Sequence, residues 1–279
     1  MNIPKNTLTR TTALAGLILA LAACSATGDD AGAATTSEPS GQSADTSLTD
    51  VLESGTLTVG TEGTYRPFSF HEDGSGDLTG YDVEVVEAVA AKLGVEVKFE
   101  ETQWDAIFAG LEAGRFDVIA NQVSITPERT EAYTFTEPYT VSTGVIVVRT
   151  DNEDITSFES LAGKRTAQSL TSNWYTLAED SGATIEAVEG WAQSVALVEQ
   201  ERVDATINDK LTFLDYQQTN DASGLRIAAE TQEESLSAFA VAKDATALAE
   251  AIDEALATLT EDGTLAQISE KYFGQDVSH

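Results

Sequence analysis

From Leu48 onward the spacing of apolar side chains switches back and forth between two periods. TLTVGT at 56–61 alternates and predicts a strand. Val85, Val86, Val89 and Leu93 then share one helical face, so 82–93 predicts a helix capped by Asp82 and ended by Gly94. A strand at 95–101, a helix at 104–113 closed by Gly114, and a strand at 116–121 follow. Thr126 reads as an N-cap with Pro127 at the first helical position. After the strong strand GVIVVRT (144–150) the alternation restarts. Strands are expected at 164–169, 184–189 and 204–209, with helices at 173–182 and 193–203. Two further strands, 225–230 and 236–244, precede a helix over 246–263 that leads into TLAQISEKYFG (264–274). Leu248, Ile252, Ala255, Leu256 and Leu259 form its apolar stripe. Strands alternating with helices predict an α/β fold with a mostly parallel sheet. The break near residues 140–144 divides it into two lobes of similar build. Such folds bind ligands at the carboxyl ends of strands and in interlobe clefts.

The N-terminal region lacks this pattern. Lys5 and Arg10 precede ALAGLILALAA, an apolar stretch too short to span a bilayer, which predicts an export signal. Cys24, the one cysteine of the chain, stands directly after a small-residue pair. This resembles the lipobox of bacterial lipoproteins, which implies cleavage before Cys24 and acylation of its thiol. The expected division is then a signal at 1–23, a tether at 24–47, a first lobe at 48–140 and 237–279, and a second lobe at 141–236. Residues 25–46 hold no large apolar side chain and predict a flexible leash reaching a few tens of ångströms. The implied location is the outer face of the cell membrane, held there by lipid on Cys24.

Charge narrows the partners. The chain has 15 basic and 47 acidic residues, a formal net charge of −32. Nucleic acids and anionic headgroups need a basic face, so neither is expected as a partner. With two histidines, His71 and His279, a His-based metal site or a Ser-His-Asp triad has little to work with. No metal, no cofactor and no catalytic residue is expected. No G-x-x-x-x-G-K-[ST] loop occurs, so the chain is not an ATPase.

One run carries a family resemblance: WDAIFAGLEAGRFDVIANQVSITPERTEAYTFTEPY (104–139), preceded by GTEGTYRPFSF (60–70) and LTGYDVEVVEAVAAKLG (78–94). With the closing EDGTLAQISEKYFG (261–274), it resembles the family-3 solute-binding proteins, receptors of polar amino-acid ABC importers. The resemblance implies a type II periplasmic-binding-protein-like fold of two lobes, joined by hinge crossings near residues 140–143 and 235–237. It implies a monomer that closes on an amino acid and docks on a membrane permease driven by a separate ATPase. FDVIANQVSIT and INDKLTFLDY look most like cystine receptors; basic amino acids, glutamine and glutamate stay open.

A free amino acid carries a carboxylate and an ammonium, so its receptor needs a cation and an acid. The family's matching Arg holds the carboxylate, which implies Arg129; its alternative is a surface Arg paired with Glu128 or Glu131. Tyr65 and Trp104 match the family's aromatic sandwich, their alternative being core packing. Asn121, Gln122 and Ser124 match cleft-lining positions, and Glu62 an acid near the ligand side chain. Asp209 matches the family's ammonium partner. It is equally placed to cap the next helix, with Asn208 or Asp204 a register away. The family's Gly-Thr-x loop lacks its glycine here, leaving Ser172 and Asn173 to meet the carboxylate. Trp174, Tyr175 and Trp191 fit either core or cleft rim. The rival function is a dehydratase of cyclic amino-acid precursors on the same fold, with Glu62 or Asp209 as general acid.

Overall fold

The structure is a computed structural model and describes residues 44–278. The signal at 1–23, Cys24 and the tether as far as residue 43 lie outside the described residues, as does His279. In chain order the elements are α1 (Ser47–Ser54), β1 (Thr56–Thr61), β2 (Thr64–Tyr65), β3 (Ser69–His71), β4 (Leu78–Thr79), α2 (Tyr81–Leu93), β5 (Glu96–Glu101), α3 (Trp104–Glu112), β6 (Val118–Ser124), α4 (Pro127–Ala132), β7 (Tyr133–Phe135) and β8 (Thr140–Arg149). There follow β9 (Arg165–Gln168), α5 (Asn173–Asp180), β10 (Thr184–Ala187), α6 (Trp191–Glu199), β11 (Ala205–Asp209), α7 (Lys210–Thr219), β12 (Leu225–Ala242), α8 (Thr246–Glu261) and α9 (Thr264–Phe273).

A mixed sheet runs β10-β9-β11-β8-β12-β6-β1-β5, with β7 beside β12. Both flanks are parallel: β5-β1-β6 at one end and β10-β9-β11 at the other. In each triplet the first strand in sequence is central, so its two crossovers leave in opposite directions. That makes a switch point at the carboxyl ends of β1 and of β9, where ligands bind in open α/β sheets. The middle is antiparallel, β8 against β12, and is where the chain passes between the two triplets.

Apolar burial follows the same division. Around β1 and β6 the stripe Val85, Val86 and Val89 of α2 meets Leu248, Ile252, Leu256 and Leu259 of α8, all at most 4% exposed. Each such side chain contributes about 1.5–3 kcal/mol relative to exposure. The second triplet has its own clusters, one around Val145, Val147, Val198 and Phe213, another around Ile146, Ile155, Leu161 and Ile207.

Several expectations change. Gly80, not Asp82, is the N-cap of α2. Gly80 has φ 133°, and a Cβ there would stand 2.2 Å from the Phe68 carbonyl oxygen, so only glycine fits. Asp82 lies inside the first turn and is fully buried. The strands expected at 225–230 and 236–244 are one strand, β12, whose register against β8 shifts between Glu230 and Glu234. There the Thr231 hydroxyl accepts from the Gly144 N–H at 3.0 Å in place of a ladder carbonyl. The proposed crossings at 140–143 and 235–237 are therefore paired neighbours, Ser142 opposite Ser235 and Thr140 opposite Ser237. Helices α1 and α7 and the small sheet β2-β3-β4 were not anticipated. The last tether residues are engaged as well: Asp45 Oδ2 accepts from the Thr246 hydroxyl and the Ala247 N–H, and Ser47 Oγ from the Leu248 N–H. These bonds supply the side-chain cap that α8 lacks at Ala245.

Candidate functional site

The carboxyl ends of four strands converge on one small cavity of about 50 Å³. Glu62 follows β1, Asn121 and Gln122 belong to β6, Ser169 follows β9, and Asn208 is the penultimate residue of β11. Tyr65 and Trp104 add aromatic walls from the first triplet; Ser172, Asn173, Trp174, Gly190 and Trp191 add the facing wall. A second space of about 280 Å³ adjoins it, sharing Glu62, Tyr65, Gly190 and Trp191 and reaching Gln103, Glu189 and Gln193.

Seven expected site residues thus meet at one place: Glu62, Tyr65, Trp104, Asn121, Gln122, Ser172 and Asn173. Three do not line that cavity. Ser124 Oγ accepts from Ser235 at 3.2 Å and borders a separate groove with Thr231 and Leu236. Arg129 lies behind Trp104, its guanidinium 5.3 Å from the indole and 5.2 Å from the Phe108 ring. It donates to the carbonyls of Ser124 (2.9 Å) and Thr171 (3.1 Å). Arg129 is buried, so the surface pair with Glu128 or Glu131 does not form; no carboxylate of the described residues is within 4.0 Å of it. Burial pushes its pKa down to about 10, which leaves it a cation at neutral pH. Asp209 caps α7 through Oδ1, which accepts from Leu211 N–H (2.8 Å) and from the Ser142 hydroxyl (2.7 Å). Its Oδ2 makes no hydrogen bond among the described residues, and the neighbouring Asn208 is the residue on the cavity wall.

Asn208, Ser169 and Gly190 are lining residues that sequence reasoning did not select. Asn208 was visible only as a register neighbour of Asp209. Ser169 and Gly190 follow strand ends, the signal that could have found them. Trp174 and Trp191 line the wall, whereas Tyr175 does not. Gly144 makes room for the Trp174 ring: a Cβ there would lie 2.4 Å from it.

Buried carboxyls set the electrostatics. Glu62 is locked to Asn121 by two bonds, Glu62 N–H to Oδ1 (2.8 Å) and Nδ2 to Glu62 Oε2 (2.7 Å). Burial, with Asp105 and Glu189 nearby, still pushes its carboxyl up to about 7. Burial likewise raises Asp82 to about 7 and Asp209 to about 6. A carboxyl raised on folding binds its proton more tightly in the native state, so its contribution is fully present below its unfolded value of about 4 and is lost as pH rises. Carboxyls lowered on folding, such as Asp262 at about 2, stay ionised throughout pH 5–8 and do not change in that window. The unliganded protein is therefore expected to melt at a lower temperature at pH 7.5 than at pH 5, as calorimetry would measure. A melting temperature that rises across this interval contradicts the assignment.

The two walls touch. The Tyr65 hydroxyl donates to Asn208 Oδ1 and accepts from Thr212, both at 3.0 Å. Asp105 Oδ1 accepts from the Thr171 N–H and hydroxyl at 3.0 and 2.9 Å, and Arg66 pairs with Asp215 at 3.3 Å. Leu211 of α7 packs into the core around β1 and β6. Tyr65→Phe removes two of these bonds. It is expected to weaken closure by about 1–2 kcal/mol and to enlarge the unliganded radius of gyration in X-ray scattering. An unchanged radius would show that Tyr65 does not hold the walls together.

Comparison with known proteins agrees with this geometry. The L-cystine-binding protein TcyA of Bacillus subtilis (strain 168) is 46% identical over 261 residues, 94% of this chain and 95% of that protein. Among solved structures, an ancestral arginine-binding protein bound to arginine is 36% identical, with a TM-score of 0.74 over 79% of this chain and 99% of that one. The L-cystine solute receptor of Neisseria gonorrhoeae, in its unliganded open conformation, is 47% identical over 83% of this chain and 98% of that one, yet its TM-score is 0.56. In this chain the two walls of the site are joined by the bonds from Tyr65, Asp105 and Arg66 given above. The sequence profile of the bacterial extracellular solute-binding proteins, family 3, matches residues 57–275. The chain belongs to that family.

Proposed function

We propose that this protein captures a polar amino acid, cystine foremost, by closing two lobes on it and delivers it to an ABC permease. The observation that carries this reading is the cavity built from both strand triplets, with one buried acid, Glu62, on its wall and a buried cation, Arg129, behind the Trp104 wall with no carboxylate partner among the described residues. Arg129 uses two of its five N–H groups on carbonyls. A ligand carboxylate takes the remaining fork and displaces the Thr171 carbonyl. Asp209 Oδ2 and Glu62 receive ammonium groups. Cystine has two amino-acid ends, and the adjoining 280 Å³ space gives the second end a place. The relatives named for cystine support the same ligand.

The lobes comprise residues 48–140 with 237–279, and residues 141–236, turning about the paired strands β8 and β12. The protein acts as a monomer, exported and held to the outer face of the membrane by lipid on Cys24, with residues 24–44 as leash, since Asp45 and Ser47 are held against α8. It is a binding protein rather than an enzyme. Glu62 or Asp209 is the group a dehydratase would use as acid, but Arg129 and Asp209 together suit an intact amino acid.

A thermal-shift panel of amino acids and cystine tests this reading. A ligand at about 100 times its Kd adds about 2.7 kcal/mol of stability. Cystine is expected to give the largest shift, and no shift with any amino acid would sink the receptor reading.

A further inference from the structure

Beneath the cavity lies a carboxylate that neither the ligand nor the helix cap explains. Asp82 is completely buried; each of its oxygens accepts from Gln122, and the buried Tyr139 hydroxyl also interacts with the carboxyl. Oδ2 accepts from the backbone N–H of Gln122 and Oδ1 from its side-chain Nε2, each at 2.7 Å. The second hydrogen of Nε2 goes to Thr140 Oγ1 at 3.0 Å, at the start of the crossing strand β8. Gln122 is held in the left-handed region, φ 50°, which a side-chain-bearing residue adopts only when its surroundings impose it. There the register of β12 against β6 shifts, so that Phe239 alone spans residues 120–122.

While the Asp82 carboxyl is ionised the side-chain amide cannot flip, because that would set Oε1 against Asp82 Oδ1. Both hydrogens being committed, Oε1 is left over: a buried acceptor with no partner among the described residues, on a residue that lines the cavity. The same turn carries Asn121, which fixes Glu62. We propose that Asp82 is the positioning residue of the ligand site, holding Gln122 so that its Oε1 receives the cationic group of the ligand. This rests on the amino-acid reading above. Asp82 itself touches no ligand; it acts through Gln122, and through Thr140 it ties the cavity floor to the hinge.

The test exchanges the two chemistries in the full-length protein. Asp82→Asn sets an NH₂ group against one of the Gln122 donors, and Gln122→Glu sets two carboxylates face to face. In the double exchange, the amide oxygen at position 82 is left to accept from the residue-122 N–H, while the amide NH₂ donates to the new carboxylate. Each single variant is expected to bind L-cystine at least tenfold more weakly than the native protein, and the double variant to return within threefold. A merely structural Asp82 would lower the unliganded melting temperature and leave the affinity of the folded protein within twofold; that result overturns the proposal. So does a double variant no tighter than its weaker parent. Should Asp82→Asn not fold, the comparison of Gln122→Glu with the double variant decides in the same way. If the native protein binds no amino acid, the receptor reading fails, and amide exchange at residue 122 then judges the positioning. Exchange at least tenfold faster in Asp82→Asn supports it, and an unchanged rate overturns it.

Discussion

Arg129→Ala is expected to weaken amino-acid binding more than a hundredfold, about 3 kcal/mol. Arg129 is 9% exposed and has no carboxylate partner among the described residues, an arrangement that costs stability in the empty protein. Its two bonds to the Ser124 and Thr171 carbonyls join opposite walls of the cleft. Removing it deletes both the cation that a ligand carboxylate needs and one of the contacts that hold the walls closed. The two losses are separable. Unliganded scattering reports the closure contact, whereas titration calorimetry reports their sum. Affinity within twofold of native would show that the carboxylate is held elsewhere, with Ser172 and Asn173 the next candidates.

Asp209→Asn is expected to weaken binding about thirtyfold, about 2 kcal/mol, as a charge-assisted bond to the ammonium is lost. The substitution isolates charge from structure. Asn and Asp are equivalent N-caps, so the Leu211 N–H and the Ser142 hydroxyl keep an acceptor. The unliganded melting temperature should therefore hold or rise at pH 7.5, where the native residue is a buried carboxylate raised to about 6. An unchanged Kd would move the ammonium site to Glu62.

The reach of sequence reasoning differs between elements for physical reasons. The α4 start was legible because T-P-E-R is local chemistry: the Thr126 hydroxyl accepts from the Arg129 N–H at 3.2 Å, with Pro127 next to it. The α8 stripe was legible because burial at period 3.6 marks every turn. The continuity of β12 was not. Its middle, ETQEES, has no apolar alternation, and strand geometry there comes from pairing with β8 across a shifted register. Helix α7 was hidden for a similar reason, since KLTFLDYQQT mixes apolar and polar residues without a clean face. Asp82 read as a helix cap because acids favour first turns; only the tertiary fold brings Gln122, forty residues on, into its reach. Among site residues, types and strand-end positions were legible. What each side chain does in the cleft was not, because Arg129, Ser124 and Asp209 spend their bonds on partners set by the packing of the lobes.

The most direct test of the central claim is titration calorimetry of the full-length protein with L-cystine at pH 7.5. The account predicts saturable binding at one site per chain, with the negative heat-capacity change of a cleft closing over aromatic surface. No binding of cystine or of any standard amino acid up to millimolar concentration would contradict it.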